Sequence, residues 1–213
     1  MADPPIMRFD LQIISSWIQP ESTVLDLGCG KGDLLAYLRN NKNIKGVGIE
    51  QDEEKVAFSI ARGLSVLQGD LSKEINDYPD NRFDYVVLSQ TLQQVYEPAE
   101  LLQNLVRIGR RVIVSFPNFS HWGVRMQVLF TGRAPKNEQL PYDWYDTPNI
   151  RVITLKDFRL FMKKIGVCIL KETAINTHHH DIRGHIIGFL PNWRATYGIF
   201  LIASCPNGKC DPF

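Results

Sequence analysis

No apolar run in this chain approaches the roughly 20 residues that a membrane-spanning helix needs, so no transmembrane segment is expected. Nor does a basic start lead into a long apolar core, and no signal peptide is expected. Charge of one sign is missing too. Lys and Arg number 24 against 23 Asp and Glu, for a net charge of +1, which points away from nucleic acid or an acidic membrane as partner. Cysteine is scarce. Of the four, Cys29 sits in a glycine turn and Cys168 opens an apolar run, so no disulfide framework is expected and a reducing cytoplasm is the simplest setting. Cys205 and Cys210 are spaced too widely for a zinc-type C-x2-C, with C-x4-C left open. Repeats and low-complexity tracts are absent. What is left is an ordinary globular composition, with length for one α/β domain. Residues 1–204 are expected to form it, and 205–213 to be a frayed, disordered tail.

The chain is organised around Thr23-Val-Leu-Asp-Leu-Gly-Cys-Gly-Lys-Gly32. Val24–Leu27 reads as a buried strand. Gly28, Gly30 and Gly32 then break it, and Leu34, Leu35 and Leu38 start a helical pattern. Strand, glycine turn and helix together make a nucleotide-binding crossover, in which a ligand approaches bare backbone. A dinucleotide fingerprint would put its last glycine where Asp33 stands. This chain reads G-x-G-x-G instead, with Asp26 inside the strand. That pattern resembles the first motif of class I S-adenosylmethionine-dependent methyltransferases.

Ahead of this stretch, Leu11, Ile14 and Ile18 share a helical face, with Trp17 beside them as core, and Pro20 stops the helix. Such a helix would cover the sheet or cap a ligand site. The second strand, Gly46–Glu50, ends in an acid placed to accept from ribose hydroxyls. Asp52 caps the next helix, which closes at Gly63. Strands follow at Ser65–Gly69, Phe83–Ser89 and Arg111–Phe116, with a helix opened by Pro98 before the last. Arg107, Arg110 and Arg111 fall where that helix ends, where cations complement its C-terminus. The alternation predicts an open, mostly parallel sheet with helices on both faces.

Residues 118–150 break the alternation with an irregular, aromatic and proline-punctuated insert, expected to act as a lid or an interface. Thr154 and Asp157 then start a capped helix, and two late strands, Val167–Thr173 and Tyr197–Ala203, form a pair at the sheet edge. Between them lies His178-His-His-Asp-Ile-Arg-Gly-His185. His178, His180 and His185 have no supporting ligand pattern, and a solvated loop is expected there. For a general base the candidates are His121, Asp143 and Asp146, none singled out by spacing.

Leu88-Ser-Gln-Thr-Leu-Gln93, Ser115-Phe-Pro-Asn-Phe-Ser-His-Trp122 and Leu140-Pro-Tyr-Asp-Trp-Tyr-Asp-Thr-Pro-Asn-Ile150, with Val24–Gly32, resemble the MetW family of methionine biosynthesis proteins. The resemblance implies a Rossmann-like class I methyltransferase fold, a doubly wound and mostly parallel seven-stranded sheet. It implies S-adenosyl-L-methionine or S-adenosyl-L-homocysteine as ligand, held by Asp26, Gly28, Cys29, Gly30, Gly32, Glu50, Gln51, Asp70, Leu71 and Ser89. Asp70 would hold the adenine amino group. Lys31 departs from the acid more usual in the family, and would attract the methionyl carboxylate or point to solvent. The resemblance further implies a cytoplasmic accessory subunit that binds and stimulates homoserine O-acetyltransferase or O-succinyltransferase. An active methyltransferase on a small acceptor is the alternative.

Overall fold

The computed structural model describes residues 7–137, 140–178 and 181–205. In chain order the elements are α1 (Phe9–Trp17), β1 (Thr23–Leu27), α2 (Asp33–Lys42), β2 (Lys45–Glu50), α3 (Glu53–Ala61), β3 (Val66–Gln68) and α4 (Leu71–Glu74). Next come β4 (Phe83–Ser89), α5 (Pro98–Ile108), β5 (Gly109–Pro117), α6 (Trp122–Thr131), α7 (Leu155–Ile165), β6 (Val167–Thr177), β7 (Gly184–Ile186), α8 (Pro191–Arg194) and β8 (Tyr197–Ser204).

The strands form one sheet in the order β3-β2-β1-β4-β5-β8-β6-β7. From β3 to β5 the pairing is parallel; from β5 to β7 it is antiparallel. The strand order reverses between β1 and β4, so the loops at their C-terminal ends diverge and leave a crevice. Alternate residues of each central strand serve opposite faces. Tyr85 and Val87 pack with Ile14, Leu34 and Leu38 from α1 and α2, whereas Val86 and Leu88 pack with Leu102, Leu105 and Phe158 from α5 and α7. Both faces are buried, which is why β1, β4 and β5 read as apolar runs instead of alternating ones.

Polar ties fix the edges of this core. Asp84 at the start of β4 accepts from the Thr23 amide (2.9 Å) and hydroxyl (2.8 Å), and its own amide donates to the Thr23 oxygen (3.0 Å). Those bonds hold the Asp84 carboxyl below its ordinary range. Lys42 donates to Ser15 O and Ile18 O at the end of α1, where a cation meets the negative end of the helix. Asp52 and Thr154 cap α3 and α7 as expected. The arginine cluster is spent on structure: Arg107 donates to Tyr78 O and Asp80, Arg110 pairs with Asp84, and Arg111 donates to the Tyr85 hydroxyl.

The structure corrects three expectations. Among the described residues the sheet has eight strands, because Gly184–Ile186, where the histidine loop ends, add to β6 as an edge strand. The late strands do form the expected antiparallel pair at this side of the sheet, with β8 next to β5 and β6 beyond it. The insert is not irregular throughout, since 122–131 form α6, capped by the His121 ring accepting from Gly123 N (3.2 Å). And Cys168 and Cys205 are joined by a disulfide. The β6–β8 register sets Val167 opposite Ser204, which brings the two Cα atoms to 5.4 Å across 37 residues of sequence. Cys205 is therefore tied to the sheet; the rest of the expected tail lies outside the described residues, as do His179 and His180.

Closing a 37-residue loop removes chain entropy worth about 3–4 kcal/mol from the unfolded state. Reduction with dithiothreitol is expected to lower the urea-unfolding free energy by up to that amount, and Cys168→Ala to make the protein insensitive to the reductant. A stability unchanged by reduction would show that the bridge contributes nothing.

Candidate functional site

A crevice of about 770 Å³ lies over the C-terminal ends of β1, β2 and β4, inside the range of roughly 300–1,000 Å³ usual for small-molecule sites. Asp26, Gly28, Cys29, Gly30, Glu50, Gln51, Asp70, Leu71 and Ser89 all line it. Of the residues expected at the site, only Gly32 does not; it stands one step further on as the N-cap of α2, at φ +72°.

The glycine turn is shaped by two requirements. Gly28 has φ +70°, and a Cβ there would meet the Thr91 hydroxyl at 2.7 Å, so the turn and the loop after β4 approach too closely for a side chain. Gly30 has φ +57° and nothing within 4 Å of a built Cβ; it presents backbone to open space. That bare stretch is the cradle a nucleoside ligand requires.

Glu50 locks the turn. Its Oε2 accepts from Gly30 N (2.8 Å), and its Oε1 accepts from Gln51 N (3.0 Å) and Asp52 N (3.1 Å). Three of about four acceptor positions are used, and the last, on Oε2, suits a ribose hydroxyl. Asp70 caps α4 through Ser72 N (3.0 Å) and lines the crevice. The Ser89 hydroxyl is 3.0 Å from that of Ser115, which is fully buried. Lys31 lines the crevice with its ammonium 5.5 Å from the centre of the Phe58 ring.

Several lining residues were not singled out from sequence. Arg8 and Leu11 show that α1 both covers the sheet and flanks the crevice. Arg8 holds the buried Asp10 through two nitrogens (3.2 and 3.1 Å), and Gln90 Nε2 reaches the same carboxylate (2.8 Å). Gln90 has φ +53°, a left-handed conformation uncommon outside glycine and typical of strained functional turns. Gln93, Tyr142, Pro148 and Asn149 complete the far wall. The motifs containing them were visible, but periodicity does not say which side chains of an irregular loop turn inward. Gln93 Oε1 and Asn149 Oδ1 are buried without a hydrogen-bond partner, each at a cost of about 1–3 kcal/mol.

The base candidates fare differently. His121 caps α6, with burial lowering its pKa; Asp143 pairs with Lys136 at 2.6 Å. Neither these two nor Asp146 lines the crevice. Among the described residues no three His, Cys, Asp or Glu side chains converge to hold a metal, and no helix is long and apolar enough to cross a membrane.

A family model described as methionine biosynthesis protein MetW matches residues 8–202. The chain belongs to the MetW family. It is 37% identical over 175 residues to a Rhodopirellula baltica protein named bifunctional methionine biosynthesis protein MetXA/MetW; the match takes in 78% of this chain and 28% of that protein, so this chain spans under a third of its relative. Among solved structures it is similar to an S-adenosylmethionine-dependent methyltransferase of Archaeoglobus fulgidus, with a TM-score of 0.68, 14% identity, and coverage of 91% of this chain and 90% of that one. Another of Thermotoga maritima gives a TM-score of 0.64 at 19% identity, covering 92% and 87%. Identities this low show the fold alone. It is the class I methyltransferase fold.

In this MetW-family crevice two buried groups are electrostatically displaced. Burial pushes Asp26 up from 3.8 to about 7, opposed by the Arg8 charge and reinforced by Glu50. The Cys29 thiol is raised far above its usual value by burial first, then by Asp26 and Glu50, which makes it inert as a nucleophile. The folded chain holds the Asp26 proton more tightly than the unfolded chain does. Its contribution to stability is therefore complete below pH 3.8 and is lost as the pH climbs to about 7. Asp26→Asn is expected to gain on the parent by up to about 1.4 kcal/mol per pH unit across that window. Urea unfolding of both proteins between about pH 5 and 8 measures this, and parallel stability curves would refute the shift.

Proposed function

We propose that this chain is an S-adenosylmethionine-binding accessory protein of methionine biosynthesis, which docks on homoserine O-acyltransferase and sets the rate of acyl transfer. The observation that carries this reading is the Rhodopirellula baltica relative, in which a segment like this chain shares one polypeptide with MetXA. We read MetXA as the acyltransferase. Fusion in one organism gives two partners a high effective concentration, which separate chains elsewhere would reach by docking.

Ligand binding is supported by the fit of the crevice. In this reading Gly28, Cys29 and Gly30 bring bare backbone to the ligand, Glu50 takes a ribose hydroxyl on its remaining acceptor position, and Asp70 faces the adenine side with Gln51, Leu71 and Ser89 as walls. Gly32 acts at one remove, by starting α2. Because the ligand is made from methionine, its binding would report the supply of the pathway's product to an early enzyme. The setting proposed is the cytoplasm.

A second reading, methyl transfer to a small acceptor, is favoured by the extension of the crevice past the glycine turn to Pro117, Tyr142 and Asn149. The sulfonium donor is already activated, so alignment and exclusion of water would suffice.

The test mixes the purified protein with the homoserine O-acyltransferase of the same host and follows acyl transfer with and without S-adenosylmethionine. A rate that changes with the protein, and changes again with the ligand, is expected. No effect of the protein on the rate sinks the accessory role. Calorimetry with S-adenosylhomocysteine tests the seat: Glu50→Gln is expected to weaken binding at least about tenfold, since charge-assisted bonds to the ribose are lost and the glycine turn loosens. Release of S-adenosylhomocysteine that depends on a defined acceptor would favour the second reading.

A further inference from the structure

The far wall of the crevice carries a chemical signal that the nucleoside seat does not use. Gln93 lies in the single 3-10 turn Leu92–Gln94 after β4 and is only 5% exposed. Its Nε2 donates to Gln90 O at 2.7 Å. That bond fixes which end of the amide is nitrogen and which is the acceptor oxygen. The oxygen has no partner, and neither does Oδ1 of Asn149. Both residues line the crevice. They come from separate segments that are tied together: Arg151 N donates to Gln93 O at 3.0 Å, and the Arg151 guanidinium donates to Val95 O and Tyr96 O.

Two buried carbonyl oxygens in one crevice wall, each without a donor, are uncommon in a finished core. Gln93 lies on the turn after β4 and Asn149 at the end of the segment 140–149, from which Pro141, Tyr142 and Pro148 also line the crevice. A ligand that donates to these two oxygens removes the penalty of leaving them unpaired.

We propose that the turn Leu92–Gln94 and the strap Leu140–Asn149 form a second ligand subsite of the crevice, one that takes a small primary ammonium compound. An ammonium has three donors and no acceptor, which matches acceptors on two segments. The field of the crevice favours a cation as well. Among its charged lining residues, Arg8 is paired with Asp10, Lys55 with Asp52 and Asp33 with Arg62. Among the described residues that leaves Glu50 and Asp70 without a salt bridge against Lys31, while burial keeps much of Asp26 protonated near neutral pH. The strap's own acid, Asp143, is neutralised by Lys136 and does not line the crevice.

The subsite rests on the proposed nucleoside seat in one respect: the second ligand is expected to bind beside a filled first site. Calorimetry with S-adenosylhomocysteine alone therefore comes first, and its failure would count against the seat and not against the subsite. The probe for the subsite is 3-amino-1-propanol, titrated by ligand-observed NMR into protein with and without saturating S-adenosylhomocysteine. Its N,N,N-trimethyl derivative is the control, a cation of the same reach without N–H donors.

Saturable binding of the aminoalcohol, absent for the trimethyl compound, is the expected result. Gln93→Met keeps the approximate shape of the side chain and removes its amide; Asn149→Ala truncates the side chain to remove the other acceptor, on the more exposed strap where folding is less at stake. Each is expected to weaken the aminoalcohol at least about tenfold while sparing the nucleoside. Equal binding of the trimethyl compound overturns the proposal, as does no saturable binding of the aminoalcohol. A loss confined to nucleoside affinity in the two variants also overturns it, because the oxygens would then serve the first ligand.

Discussion

Glu50 stands between two backbone turns, and its carboxylate accepts from both: Gly30 N on one side, Gln51 N and Asp52 N on the other. That one group closes the gap between the end of β2 and the glycine turn after β1. Without it the amides of a turn built from positive-φ glycines would have to find water. With it, the turn is held open with its backbone toward the crevice and a fourth acceptor position unspent. The switch in strand order creates the space, and this carboxylate gives it a shape that a nucleoside can use.

The remainder of the crevice is assembled from far-apart parts of the chain. Asp10, buried at the start of α1, gathers Arg8 and Gln90 and so joins the N-terminal helix to the loop after β4. Gln90 adopts its left-handed backbone in the same loop, where its amide reaches Ser115 O on β5 at 2.8 Å. Strain is tolerated there because a strand bond and the buried carboxylate of Asp10, itself paired with the partly exposed Arg8, hold the loop from both sides. On the far wall the insert bends back through Arg151 onto Gln93, and the orphaned oxygens lie where two such segments meet. The crevice is tightly hydrogen-bonded at the glycine turn and under-satisfied on the far wall.

Much of the architecture was legible beforehand, for identifiable reasons. β1, β4 and β5 are buried on both faces and so announce themselves as apolar runs; Asp52, Pro98 and Thr154 mark helix starts by chemistry that acts within four residues. α6 escaped notice because it buries only Val124 and leaves Leu129 and Phe130 exposed, so no apolar stripe betrays a helix. β7 is three residues long and has neither alternation nor an apolar run. The Cys168–Cys205 bridge was hidden by a sequence separation of 37 and became evident only when β8 paired antiparallel with β6.

The amino-acid sequence alone determined the parallel half of the sheet, the glycine turn and the acid at the end of β2, because each depends on residues close together in the chain: burial runs, caps, and a turn that only glycine can make. Its motifs also resembled the MetW family, to which the chain belongs. Tertiary structure decided the placement of β8, the disulfide, the helical insert and the far wall of the crevice. Apart from the local helix of the insert, those features arise where segments 37 to 90 residues apart meet, and nothing local in a sequence records which side chains will face each other across such a gap.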